Sequence, residues 1–317
     1  MNFAVGIDLR RNSRRYLLAS AVALVLGLVA IALLWLQVQS PLRLGIDFTG
    51  GTNILLALQC DATGQCGQQD IDIAAVRKVM SDRGYASSTI QRVTGDRLQG
   101  ISIRTTALTV EERTNLTQEL TKALAPFGAV DSKKTSINQI GPSVGAQTFQ
   151  MGIVALVLSL AGIAVYLGFR FQLDYATFAI IALIHDVLIT VGSFSVLGLV
   201  AGVEVDSLFL VAILTICGFS VNDTVVIYDR IRENMQKNEA GHDFPTVVNL
   251  AVNQSLARSI NTSLTTVLPL LGILLFGGVT LKLFALALVI GFTAGAYSSI
   301  FVAPGLLMWW HARHVRG

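Results

Sequence analysis

Two pairs of polar residues lie inside long apolar stretches of this 317-residue sequence. His185 and Asp186 are near the middle of one stretch, and Asn222 and Asp223 are near the end of the next. An ionisable group at the centre of a membrane helix costs about 2.5 to 3.5 kcal/mol on insertion, so it normally faces protein or a water-filled cavity. An imidazole or a carboxylate in that setting can take up and release a proton.

A third polar group opens a later apolar stretch. Arg258 is followed by Asn261, Thr262 and Thr265, a spacing that places all of them on one helix face. We expect Arg258 and Asp223 at a similar membrane depth, which predicts an ion pair that protonation of the carboxylate breaks. The candidate proton relay is therefore this pair, and the candidate relay or support residues are His185, Asp186, Asn222, Asn261, Thr262 and Thr265.

Simpler roles remain open for these residues. Arg258 is near a membrane boundary, where its side chain could extend to the lipid headgroups. His185 and Asp186 could form a structural hydrogen-bonded pair between helices. Carboxylate, amide and hydroxyl groups could also serve sodium instead of a proton.

The sequence predicts no enzyme and no cofactor. It contains no G-x-S-x-G, H-E-x-x-H or Walker A motif, so energy must come from a partner or an ion gradient. The small net charge of +3 is spread along the chain and gives no case for nucleic-acid binding. Because Cys60 and Cys66 have no nearby histidine, they predict no metal site and favour a disulfide over free thiols, whereas Cys217 indicates ordinary packing.

Composition indicates an α-helical polytopic membrane protein. Hydrophobic residues make up 53% of the chain, charged residues 14%, and the mean hydropathy is +0.63. Apolar runs of about 20 residues fit membrane helices, and no strand-like alternation typical of a barrel is present. Six transmembrane helices are predicted, at residues 16–36, 149–169, 175–199, 207–228, 256–276 and 281–309. The first is expected to be a retained signal-anchor.

Lysine and arginine in the short loops predict the orientation. They concentrate in the N-terminal segment 1–15, in the loop 229–255 and in the tail 310–317, which are expected to be cytoplasmic. The loop at 200–206 has two acidic residues and no basic one. Segment 41–147 is therefore expected outside the cytoplasm, with both termini inside.

Segment 41–147 alternates strand-like and helix-like patterns. Strands are predicted at 52–58, 89–93, 98–104 and 130–137, with a turn at Gly95-Asp96. Helices are predicted at 70–83 and 109–127, the second opened by a capping box of Thr109 and Glu112. This order predicts an inserted α+β ferredoxin-like periplasmic domain.

Three stretches together resemble the SecF family, subunits of the bacterial SecDF accessory complex of protein export, related to resistance-nodulation-division transporters. They are G-I-D-F-T-G-G at Gly45–Gly51, G-F-S-V-N-D-T-V-V-I-Y-D-R-I-R-E at Gly218–Glu233, and S-L-A-R-S-I-N-T-S-L-T-T at Ser255–Thr266. Their order and the six-span layout match the family over nearly the whole chain. The sister family SecD typically has Asp-Ala-Asn where this chain has Asn222-Asp223-Thr224.

The resemblance implies a subunit of the bacterial inner membrane that works with SecD and the SecYEG channel on a translocating preprotein. It implies that Asp223 and Arg258 conduct protons and that the proton motive force drives the cycle. YajC, YidC and the lipid bilayer are further candidate partners. Gly50 and Gly51 are interpreted as a hinge or a simple connector, and the family gives no role to Cys60 and Cys66. The rival functions are an exporter of small molecules or lipids and a non-conducting translocon scaffold.

Overall fold

The computed structural model describes residues 6–61, 66, 71–95, 98–237 and 241–314. Predictions that fall on residues 1–5, 62–65, 67–70, 96–97, 238–240 and 315–317 lie outside this part of the chain. In chain order, the elements are α1 (Leu9–Val38), α2 (Ile46–Thr49), β1 (Gly51–Ala57), α3 (Ile73–Asp82), β2 (Thr89–Gly95), β3 (Leu98–Thr105), α4 (Val110–Leu124), β4 (Ser136–Ile140), α5 (Pro142–Arg170), α6 (Leu173–Ala201), α7 (Ser207–Gln236), α8 (Phe244–Phe276), α9 (Val279–Tyr297), a π-helical segment (Ser298–Val302) and α10 (Ala303–His314).

The chain forms two compact units, described separately below. The first contains the residues up to Arg43 and from Ile153 onward, and the second is Leu44–Gly152. Within the described residues, six helices are long and apolar enough to cross a membrane. They are α1, α5, α6, α7, α8 and a last span, Leu281–Arg313, that includes the π-helical segment.

The membrane helices are longer than the hydropathy pattern predicts, as α7 and α8 show. α7 continues to Gln236 and α8 begins at Phe244, so most of the predicted loop 229–255 is helical. Polar side chains support the extension of α7, since Glu233 accepts from Arg230 three residues before it and from Lys237 four residues after it, each at 2.7 Å. Hydropathy marks the apolar part of a helix and misses such polar ends.

Burial separates the central helices of the first unit from the peripheral ones. In their most apolar stretches, α6, α7 and the last span are 44%, 50% and 61% buried, whereas α5 and α8 are 6% and 11% buried. Glycines allow close approach at the centre, because a Cβ on Gly192 of α6 would lie 2.6 Å from the Cα of Gly27 of α1. A Cβ on Gly291 would overlap Ile216 of α7, so the last span packs closely against α7.

The second unit contains a four-stranded antiparallel sheet in the order β2-β3-β1-β4. Its strands and helices follow each other in the predicted β-α-β-β-α-β order. One apolar cluster joins α3, α4 and the sheet, and it includes Ile54, Leu56, Val76, Met80, Ile101, Ile103, Leu116 and Leu120. The predicted capping box is confirmed: Thr109 N–H donates to Glu112 at 2.8 Å, and Glu112 N–H donates to the Thr109 hydroxyl at 3.3 Å.

The last strand is the clearest error of the sequence prediction. It was placed at 130–137 but runs from Ser136 to Ile140. Val130 forms only an isolated bridge with Leu58, because Asp131 then makes a turn. The Asp131 side chain accepts from the N–H of Lys133 at 2.9 Å, and its carbonyl oxygen accepts from the N–H of Thr135 at 3.0 Å.

Two further features of this unit involve residues that the sequence analysis singled out, namely the two cysteines and the glycine pair. Cys60 and Cys66 are joined by a disulfide. Gly50 and Gly51 have φ angles of 72° and 132°, which L side chains rarely adopt. A Cβ on Gly50 would lie 2.6 Å from the Cα of Pro142, so this position is closely packed as well as left-handed.

Candidate functional site

A buried polar cluster is centred on Asp186 of α6. We call it the Asp186 cluster, and its members are Ser20, His185, Asp186, Ser220 and Ser298. The Ser220 hydroxyl of α7 and the Ser298 hydroxyl of the π-helical segment donate to Asp186 Oδ2 at 2.5 and 2.7 Å. The side chain of Asp186 is fully buried, so these donors replace water around the carboxylate.

His185 completes this cluster on the side of α1. Its Nδ1 lies 2.8 Å from Asp186 Oδ1, and its Nε2 lies 2.7 Å from the hydroxyl oxygen of Ser20. Both ring nitrogens therefore have a partner, and the ring can share a proton with the carboxylate. Of the two roles left open by the sequence, the structural pair is directly visible, while relay remains a prediction.

Hydroxyl groups continue from the Asp186 cluster along α7. The side-chain oxygens of Thr224 and Ser299 lie 2.9 Å apart, and Ser299 also donates to the carbonyl oxygen of Ser220 at 3.4 Å. The π-helical segment supplies both Ser298 and Ser299 to this buried layer. Such π segments within α-helices often occur at functional sites.

Asp223 lies one turn after Ser220 on the same buried face of α7. Its Oδ1 accepts a hydrogen bond from the hydroxyl of Ser259 of α8 at 2.9 Å. Its Oδ2 is buried and has no hydrogen-bond partner among the described residues. A buried carboxylate with one unpaired oxygen is costly when ionised, so Asp223 differs sharply from the fully hydrogen-bonded Asp186.

The predicted ion pair between Asp223 and Arg258 is not formed in the structure. No side-chain nitrogen of Arg258 lies within 4.0 Å of a carboxylate oxygen of Asp223. Arg258 is exposed, and its neighbour Ser259 is the residue that faces Asp223. Successive residues of an α-helix are about 100° apart, which explains why both cannot point at α7.

The remaining candidate residues on α7 and α8 do not hydrogen-bond to the carboxylate of Asp223. Asn222 is exposed, as are Asn261 and Thr265, whereas Thr262 is partly buried. The Thr265 hydroxyl donates to the Asn261 carbonyl oxygen of its own helix at 2.8 Å. Arg258 and Asn261 thus form a polar, exposed face of α8, which is unusual on a helix of this hydropathy and fits a helix that contacts another protein.

Sequence reasoning missed the serines that contact the two carboxylates. Hydroxyl groups are inexpensive in membrane helices and can bond to their own backbone, so Ser20, Ser220, Ser259 and Ser298 gave no hydropathy signal. Only the position of Ser220, three residues before Asp223 on one face of α7, could have pointed to a shared site.

Comparison with known proteins identifies the family. Residues 119–313 match the family described as "Protein export membrane protein SecD/SecF, C-terminal", and residues 35–62 match the "SecD/SecF GG Motif". A Synechocystis protein named "Protein translocase subunit SecF" is 49% identical over 304 residues, covering 96% of this chain and 94% of its own length. The chain belongs to the SecF family.

Other relatives of this SecF-family chain extend over nearly its full length. Proteins of the same name from Prochlorococcus marinus and Pseudomonas aeruginosa are 36% and 34% identical, over 97% and 92% of this chain and 96% and 88% of theirs. Together with the six apolar helices, these relatives show a multi-pass membrane protein.

A solved structure shares the fold. The crystal structure of SecDF from Thermus thermophilus, described as a translocon-associated membrane protein, matches 99% of this chain at 30% identity and a TM-score of 0.79. A super-membrane-facing form of SecDF matches 98% of the chain at 29% identity and a TM-score of 0.63. The SecF-family chain spans 40% and 39% of those two chains.

Proposed function

We propose that this chain couples ion movement through Asp223 to the translocation of preproteins. The observation that carries the proposal is a buried carboxylate on a membrane helix with one oxygen held by Ser259 and the other unpaired. Ionised, the carboxylate favours a nearby cation, and protonated, it is neutral and tolerates the apolar interior. The two states therefore favour different arrangements of α7 and α8.

Arg258 is the cation that we expect to respond to this change. It is adjacent in sequence to Ser259, whose hydroxyl donates a hydrogen bond to Asp223. Because Arg258 is about 100° from Ser259 around α8, a rotation of this helix together with a swing of the long arginine side chain is needed to bring the guanidinium toward α7. Protonation of Asp223 then releases it. The transmembrane potential supplies roughly 2.3 kcal/mol for each proton at every 100 mV, which is enough to drive such a rearrangement.

We propose that a SecD partner covers the exposed side of the helical unit. Support comes from the SecDF chain, of which this chain spans 40%, and from α5 and α8, which are barely buried here. The polar face of α8 with Arg258 and Asn261 fits a protein partner better than lipid. The complex would act at the SecYEG channel, with YajC and YidC as further candidate partners.

We propose that the second unit is a ferredoxin-like periplasmic domain, with both termini cytoplasmic in a bacterial inner membrane. The β-α-β-β-α-β order and the sheet order β2-β3-β1-β4 support the fold. The disulfide between Cys60 and Cys66 supports an oxidising location for this unit. Basic residues beside the membrane helices support the orientation of the termini.

The test is preprotein translocation into inverted membrane vesicles that contain the complete complex, with the proton gradient imposed or collapsed. Asp223→Asn should assemble normally and lose the stimulation by the gradient. The matched control is Asp229→Asn on the same helix, which removes a surface pair with Arg170 at 2.7 Å and should keep the stimulation. Equal stimulation of both variants would support a non-conducting scaffold instead.

Two further experiments distinguish proton-coupled preprotein translocation from sodium coupling and from small-molecule export. Replacing sodium with potassium at a fixed proton gradient should leave the stimulation unchanged. Energised vesicles that lack preprotein should not accumulate lipophilic dyes through the complex. Dye transport that is lost in Asp223→Asn would favour an exporter.

A further inference from the structure

The β4 strand forms an open edge of the four-stranded sheet in the second unit. Within the described residues its one strand neighbour is β1, to which it pairs from Leu55–Ser136 to Gly51–Ile140. Just after β1, the N–H of Leu58 donates to the carbonyl oxygen of Gln99 of β3 at 2.7 Å. The peptide groups of even-numbered residues in β1 therefore bond toward β3, and those of odd-numbered residues bond toward β4. The peptide groups of Ile137 and Gln139 therefore point outward from the sheet.

This open edge lacks the charged residues, prolines and bulges that protect many edge strands. β4 reads Ser-Ile-Asn-Gln-Ile, with no charged residue and no proline, and its register with β1 has no bulge. The opposite edge strand, β2, carries Arg92. An unprotected, uncharged edge is suited to pairing with another extended chain.

A groove of about 720 Å³ lies between α4 and this edge strand. It is lined by Ile137 of β4 and by one face of α4, namely Arg113, Thr114, Thr117, Gln118, Thr121 and Lys122. From residue 113 to 122 the helix rises about 13 Å. An extended chain covers that length with about four residues, close to the length of β4.

The polar groups of the groove are suited to a chain of no fixed sequence. The hydroxyls of Thr114, Thr117 and Thr121 donate to the carbonyls four residues before them at 2.7 to 2.8 Å, so they present methyl groups and acceptor oxygens outward. Arg113 has no ion pair within 4.0 Å among the described residues, and Lys122 stands at the far end of the groove. These cations disfavour strongly basic segments.

We propose that an extended segment of the translocating polypeptide binds in this groove by adding a strand to β4. The proposal rests on the translocation function and deepens it by naming the site that holds the substrate. Main-chain bonds to Ile137 and Gln139 give affinity that does not depend on sequence. That property is what a subunit serving many different preproteins requires.

The test uses a photoreactive amino acid at Gln118, in the groove, in the complete complex in inverted vesicles. A radiolabelled secretory precursor is arrested during translocation and the sample is illuminated. The control places the same photoreactive residue at Thr94 on the β2 edge, which is also exposed. The expected result is precursor cross-linking from Gln118 at several times the yield from Thr94.

Proline variants then test strand addition itself. Gln139→Pro removes an outward N–H from the edge of β4, a position where proline is tolerated. It should lower the cross-link from Gln118 about fivefold, as expected for one lost hydrogen bond. The matched control Thr94→Pro removes an outward N–H from the β2 edge and should change the yield less than twofold. Gln139→Ala keeps the N–H, and its smaller effect isolates the bond from the Gln139 side chain to the Leu108 carbonyl oxygen.

Three results would overturn the proposal: equal cross-linking from both edges, no effect of Gln139→Pro, or cross-links from Gln118 to a partner subunit in place of the precursor. Asp223→Asn distinguishes this from failure of the proposed function. If that variant keeps gradient stimulation while the Gln118 cross-link remains proline-sensitive, the coupling proposal fails and the binding site stands.

Discussion

Replacing Asp186 with alanine removes the acceptor for three hydrogen bonds at once. His185, Ser220 and Ser298 all donate to this carboxylate at 2.5 to 2.8 Å in a fully buried setting. Ser298 retains a 3.1 Å bond to the Gly295 carbonyl oxygen, so its hydroxyl is the least affected. The two remaining donors, His185 and Ser220, each cost about 1 to 3 kcal/mol when unpaired, which gives a destabilisation of about 2 to 6 kcal/mol.

Asp186→Asn should be much milder. The amide oxygen still accepts from His185, and the amide nitrogen donates to serine hydroxyls that can rotate to accept. We expect about 1 kcal/mol for this change. The matched control is Thr190→Ala on the same helix, which removes a buried hydroxyl that donates at 2.9 Å to the Asp186 carbonyl oxygen. It should also cost about 1 kcal/mol or less.

The assay is thermal unfolding of the whole chain in detergent, followed by a thiol-reactive dye. The disulfide protects two of the three cysteines, so the dye reports the exposure of buried Cys217 on α7, beside this cluster. Asp186→Ala should lower the transition temperature by roughly 4 to 24 °C, and the other two variants by roughly 2 to 4 °C. Equal effects of Asp186→Ala and Thr190→Ala would refute the hydrogen-bond reasoning.

Three predictions concern the second unit, and each is measured by hydrogen exchange of the full chain. Cys60→Ser with Cys66→Ser should destabilise the unit by about 2 kcal/mol, because the bond closes a short loop; unchanged protection contradicts this. Gly50→Ala should cost about 1 to 3 kcal/mol, since φ is 72° and the new methyl lies 2.6 Å from a backbone carbon; wild-type exchange would exclude strain. The N–H and hydroxyl of Thr109 lower the pKa of Glu112 by hydrogen bonding to its carboxylate. These bonds therefore stabilise the folded unit above the unfolded-state pKa of Glu112, and the stabilisation is lost as the pH falls through the folded-state pKa. Protection of α4 should therefore fall with acid more steeply in wild type than in Glu112→Gln, and parallel profiles would argue against the cap.

The sequence predicted the parts of this chain that depend on local chemistry. Apolar length placed every membrane helix, and the pairing of Thr109 with Glu112 placed the start of α4. It failed where polar side chains, and not the apolar pattern, set the limits of an element. The turn at Asp131 delays β4, and ion pairs at Glu233 carry α7 beyond its apolar part.

The candidate site could also be predicted only in part. The free-energy cost of placing ionisable groups in a membrane predicted that His185, Asp186 and Asp223 need partners, and all three are buried. Which partners they have depends on helix rotation, which the spacing of one helix cannot determine. Ser259 faces Asp223 and Arg258 does not, although the two are adjacent in sequence. The π-helical segment that supplies Ser298 has no recognised sequence signal.

Proton entry measured directly is the sharpest test of the coupling proposal. The complete complex is reconstituted in liposomes with a pH-sensitive dye inside, and an inward proton gradient is applied in the presence of an engaged preprotein. Wild type and Asp229→Asn should acidify the lumen at the same rate, and Asp223→Asn should fall to the rate of empty liposomes. If Asp223→Asn acidifies as fast as wild type, Asp223 does not carry the proton and the account of coupling is wrong.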